Sequence, residues 1–125
     1  MFETFIFINL TYLLYYGKVS IMDSKSIWNT NNTTQLANVL SGITDLQIMQ
    51  SFLRDVMTEK EIVEISTRLE AAKMLTNGKK YDEVVKKTKL STRTVARISN
   101  WLQNGCKGYK KAISLIEQNH HNLAS

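Results

Sequence analysis

The 125-residue chain contains no proline. Proline in a helix interior removes a backbone donor and clashes with the preceding turn, so its absence leaves every periodic stretch free to be helical and makes an all-α chain the first expectation. Cysteine is confined to Cys106, which excludes an intrachain disulfide framework. With only His120 and His121 beside it, soft ligands are too few for a structural zinc site, and a reducing cytoplasm is the expected setting. The five glycines are Gly17, Gly42, Gly78, Gly105 and Gly108. The last four lie between apolar-periodic stretches, where residues tolerant of positive φ commonly end helices. Also missing are a nucleophile motif, a phosphate-cradling glycine loop and any paired acidic and histidine constellation, so the sequence is not read as an enzyme and no catalytic or metal-binding residue is assigned.

What is present is a composition of 43% apolar, 22% charged and 9% aromatic residues. Such a chain buries a core and is not globally disordered, and its length suits one small domain whose stability depends on a partner subunit. Residues Phe2 to Tyr16 are far more apolar and aromatic than anything later. They lack the basic lead and small-residue cleavage site of a secretory signal, and the run is shorter than the roughly 20 residues a spanning helix needs, so no membrane partner is expected. Met22 offers a second start, with residues 1–21 an over-extended reading frame; a dimer-packing or membrane-surface segment is the other reading.

Residues 22–44 read as a polar arm followed by a short helix. Ser24 to Thr34 suggests a loop around Trp28, a packing anchor, and Leu36, Val39 and Leu40 suggest a helix ended near Gly42. From Asp45 to Met57 the apolar Met49, Phe52, Leu53 and Val56 share one helical face, expected to be core. Thr58-Glu-Lys-Glu61 has the form of a capping box. The helix it opens carries Ile62, Ile65, Leu69, Ala72 and Leu75 in line, with Glu64, Arg68 and Lys73 off that line and Gly78 closing it.

Residues 81–98 read as a helix-turn-helix. Asp82 to Lys87 forms a first helix with Val84 and Val85 inward, Thr88 to Leu90 the turn, and Ser91 caps a second helix that turns Val95, Ile98 and Leu102 inward. Thr92, Arg93, Thr94 and Arg97 then face outward. A recognition helix needs this division, because its apolar side must hold the first helix while its amino-terminal turns enter the major groove. Arg93 suits a bidentate contact to guanine, and Thr92 or Thr94 a phosphate or a thymine methyl. Between Lys79 and Lys111 there are ten basic and two acidic residues, a net +8, whereas the remainder of the +5 chain sums to −3. Positive potential is thus concentrated on the segment whose pattern suits a groove, with Lys86 and Lys87 as phosphate contacts. A helix from about Tyr109 to Gln118 with Ala112, Ile113, Leu115 and Ile116 for packing follows, then a polar tail from Asn119 that is expected to fray.

The segments Phe52 to Glu61, Ser66 to Gly78 and Tyr81 to Ile98 together resemble the Trp repressor superfamily, most closely its TrpR-related YerC/YecD branch. The resemblance spans residues 45–118 and the order of all their helices. It implies an all-α, helix-turn-helix domain in an intertwined homodimer, bound to double-stranded DNA and regulating transcription. It also implies a small-molecule corepressor site at Thr58, Arg68 and Arg97. Against tryptophan itself stand Ile98, where the tryptophan-binding repressor has glycine, and a turn one residue shorter. Each of the three residues also has a plain reading: a cap for Thr58, an ion pair for Arg68, a phosphate contact for Arg97. Lys89, where glycine is common, would have to take a conformation that glycine accepts more cheaply. The expected function is a cytoplasmic transcriptional regulator acting as a homodimer, with repression by operator occupancy. The alternatives are the DNA-binding module of a recombinase- or terminase-like system and a helical interaction module whose basic face meets an acidic partner.

Overall fold

Asparagines and threonines open the first helix. In the computed structural model, which describes residues 27–124, Thr30 is an extended N-cap whose hydroxyl accepts from the Thr33 amide at 3.2 Å. The Thr34 hydroxyl donates to the Trp28 carbonyl at 2.7 Å, tying the 3-10 turn Ile27–Asn29 to helix α1, Asn31–Gly42. The helix therefore starts within the stretch read from sequence as a loop. Asn and Thr have low helix propensity, but they are good capping residues, and here the cap decides. Residues 1–26, including the apolar segment and the Met22 start, lie outside the described residues.

Two compact units divide between Met49 and Gln50. The first contains the 3-10 turn and α1, neither of which buries a residue, and Trp28 is 48% exposed rather than an anchor. The boundary falls within α2, Leu46–Val56, which starts where the Asp45 carboxylate accepts from the Ile48 amide at 3.0 Å. None of α2 is fully buried: Met49, Phe52 and Leu53 are half-buried and Val56 is exposed. That corrects the expectation of a core helix. Periodicity shows that a helix has a face to bury; it does not say which surface covers it.

The second unit holds the core. Helix α3, Glu59–Thr76, is opened by the capping box read from sequence and is followed by Gly78 in the left-handed region, φ 83°. Its amino-terminal half is more open than expected, with Ile65 56% exposed, and its buried residues are Ala71, Ala72 and Met74. Helices α4, Tyr81–Thr88, and α5, Thr92–Asn104, pack on it and on each other. Val84, Val95 and Ile98 are fully buried between them, and Val85, Leu90, Trp101 and Leu102 pack against this cluster. Trp101, one turn past Ile98, was not singled out from sequence.

Helix α6, Gly108–Ala124, adds Ile113 to the core. It extends beyond Gln118 through His120 and His121, where the sequence pattern predicts a fraying tail. Polar side chains there are compatible with a helix that exposes them. No strand occurs among the described residues, so the fold is all-α.

Candidate nucleic-acid interface

The α4–α5 connection is short because Lys89 takes the left-handed conformation, φ 63°, ending α4 with its amide on the Val85 carbonyl at 2.9 Å. This is the strain expected from its position, and for a residue with a Cβ it costs about 1–2 kcal/mol. The Thr88 hydroxyl supports the turn by donating to the Val84 carbonyl at 2.6 Å and accepting from the Leu90 amide at 3.3 Å. Ser91 then caps α5, accepting from the Thr94 amide at 3.1 Å.

With Val95 and Ile98 inward, the first turn of α5 leaves Thr92 and Arg93 exposed. Thr94 is half-buried, its hydroxyl 3.0 Å from that of Ser91, and Arg97 is half-buried one turn on. Lys86 and Lys87 are exposed on the last turn of α4, where cations also complement the carboxyl end of the helix dipole. The residues chosen from sequence thus come from one helical pair, and its inward side is apolar.

Thr58, Arg68 and Arg97 are each placed in a local structural role or on a different element. The Thr58 hydroxyl accepts from the Glu61 amide at 3.2 Å, and the Glu61 carboxylate accepts from the Thr58 amide at 2.8 Å. Those bonds hold the Glu61 carboxyl below its usual pKa. Because the folded pKa is the depressed one, the capping box contributes fully above the ordinary carboxylate range and its contribution is lost as pH falls through the folded value. Arg68 pairs with Glu64 one turn earlier at 2.7 Å, while its Nε is buried without a hydrogen-bond partner. Beside it, burial raises the Tyr109 pKa, and the Arg68 charge pulls the other way.

A groove between α3 and α4 is lined by Glu70, Lys73, Lys79, Glu83, Lys86 and Lys87. Glu70 faces two cations, Lys73 Nζ at 3.4 Å and Lys87 Nζ at 3.5 Å, and Lys79 lies 4.0 Å from Glu83. Sequence reasoning missed Glu70. Its partner Lys87 is on another helix, so no helical spacing relates them, and only the charge reversal at the edge of the basic stretch hinted at a role.

Among the described residues, six helices in this order, with a short-turn helical pair near the carboxyl half, define a TrpR-like all-α fold. The structure of a TrpR-like protein from Eubacterium eligens superposes with a TM-score of 0.69 and 32% identity, over 74% of this chain and 95% of that one. A Trp repressor candidate from Staphylococcus aureus shares the fold, with a TM-score of 0.68 and 24% identity over 74% of this chain and 92% of that one. The uncharacterized protein YerC of Bacillus subtilis (strain 168) is 32% identical over 84 residues, 67% of this chain and 81% of that protein. The family model described as Trp repressor protein matches residues 31–117. The chain belongs to that family, one of DNA-binding regulators and not a class of enzymes. The match takes in α1 as well as residues 45–117 of the span that carries the sequence resemblance. No described helix is long and apolar enough to cross a membrane.

Proposed function

We propose that the protein is a sequence-specific transcriptional regulator that binds duplex DNA as a homodimer through the α4–α5 helix-turn-helix and represses by occupying its operator. The observation that carries this reading is the first turn of α5: Thr92 and Arg93 are exposed there on a helix whose opposite side, Val95 and Ile98, is entirely buried. A basic span of net +8 surrounds it. That combination supplies both the phosphate attraction and the base-reading side chains that a major-groove helix requires.

Dimerisation is supported by apolar side chains that the chain leaves open, Ile48 and Val56 on α2 and Val63 and Ile65 on α3, each more than half exposed. A second copy would bury such surface by symmetry. Nuclease footprinting should then show two half-sites about one helical turn apart, roughly 34–36 Å. Arg93→Ala is expected to cost about 1–3 kcal/mol at the preferred site and to flatten the ranking of sequences in a competition binding assay. An unchanged ranking would remove Arg93 from base readout.

A corepressor at Thr58, Arg68 and Arg97 is the second reading, favoured by the buried, unpartnered Arg68 Nε. Titration calorimetry with tryptophan and other small metabolites tests it. The expected support is a binding heat that Arg68→Ala abolishes; absence of heat from every compound leaves Thr58 as a cap and Arg68 as an ion-pair partner.

A further inference from the structure

The basic stretch is opposed at one point by a carboxylate from outside it. Glu70 belongs to α3, yet its two oxygens approach lysines on two helices: Oε2 lies 3.4 Å from Lys73 Nζ and Oε1 lies 3.5 Å from Lys87 Nζ. Glu70 is about one-third exposed, whereas Lys87 is two-thirds exposed at the end of α4. The carboxylate is therefore the better-fixed partner, and the lysine is the one drawn to it. Lys86 lines the same groove next in sequence, and on the other side Glu83 lies 4.0 Å from Lys79.

We propose that Glu70 attenuates the affinity of the α4 lysines for polyanions by holding Lys87, which, on the reading above, makes it a brake on sequence-independent DNA binding. Non-specific binding to a duplex is supplied almost entirely by lysine and arginine contacts to phosphate, each of which releases condensed counterions. A lysine whose charge is already matched by a carboxylate 3.5 Å away adds little to the attraction felt by a phosphate approaching from solvent. Before Lys87 can engage such a phosphate fully, the Glu70 contact must stretch or break. Base-edge contacts from α5 do not involve this pair, so the brake acts on all sequences alike and leaves their ranking intact.

The test is Glu70→Gln in the full chain. The amide keeps the size and hydrogen-bonding capacity of the side chain and removes only its charge. Two polyanions are used, a heparin column and duplex DNA of unrelated sequence. Glu70→Gln is expected to elute from heparin at higher salt and to bind non-specific duplex about threefold to tenfold more tightly, with the log–log salt slope steeper by up to about 0.9 per subunit. Circular dichroism and thermal unfolding check that both proteins are equally folded, and a structural role alone would not steepen the slope. In a Lys87→Gln background, where the pair no longer exists, adding Glu70→Gln is expected to bring little of that gain, since it acts through Lys87. Unchanged heparin elution in Glu70→Gln, or a gain from Glu70→Gln as large in the Lys87→Gln background as in the wild type, would overturn the proposal. The DNA reading fails separately, if the wild-type chain ignores duplex DNA at low salt while the heparin difference persists.

Discussion

Raising the salt from about 50 to about 200 mM is expected to weaken binding to duplex DNA by roughly a thousandfold. The estimate follows from counterion release. If each recognition head neutralises about three phosphates, a dimer neutralises about six, and each adds roughly 0.9 to the slope of log affinity against log salt. Three per head is within what the basic side chains at the turn can supply, since Lys86, Lys87, Lys89 and Arg93 lie within eight consecutive residues. Fluorescence anisotropy with a labelled duplex over that salt range measures the slope. A loss of less than tenfold would mean that the net +8 stretch does not face the phosphates and that the basic face serves another partner.

The second large effect is on stability. Ile98→Ala is expected to cost about 2–5 kcal/mol, because Ile98 is fully buried and its removal leaves a cavity between α5 and the helices it packs on. For a small domain whose total stability is of order 5–15 kcal/mol, that is a substantial part of the whole. Urea denaturation followed by circular dichroism gives the value. Ile98→Val, which removes a single methyl group, should cost only about 0.5–1.5 kcal/mol, so the pair of variants separates a packing loss from a disturbed helix. A cost for alanine no larger than that for valine would show that the site is not close-packed. Ile98 is also the residue that departs from the glycine of the tryptophan-binding pattern. Its side chain is a load-sharing part of the core, which gives the departure a packing reason.

These two effects connect the halves of the recognition pair. Val84, Val95 and Ile98 seat α5 on α4, and the polar turn between them sets the angle at which Thr92 and Arg93 are presented. Weakening the seat should reduce DNA binding through the fold, whereas changing Arg93 should alter preference with the fold intact. Measuring stability and binding on the same variants keeps those causes apart.

Local chemistry is legible in the sequence itself. Thr58 and Glu61 satisfy each other's backbone across one turn, and the Ser91 hydroxyl accepts from the Thr94 amide at the start of α5, because such bonds depend only on residues three apart. Val84, Val95 and Ile98 could be assigned inward for a related reason, as short helices with one apolar side have one way to bury it. The left-handed Lys89 was visible as a local conflict between residue type and turn geometry. In contrast, α1 begins earlier than its apolar pattern suggests, since its first turn is secured by Thr30, Thr33 and Thr34 and buries nothing.

By itself, then, the order of residues determined the helices of the second unit, the side that α4 and α5 turn inward and the concentration of positive charge around them, all consequences of spacing within a turn or two. Only the tertiary structure decided that α2 and the start of α3 keep apolar side chains open, that Arg68 Nε is enclosed without a partner, and that Glu70 meets Lys87. Those outcomes depend on which surfaces of distant helices come together, and helical periodicity specifies a face without naming what lies opposite it.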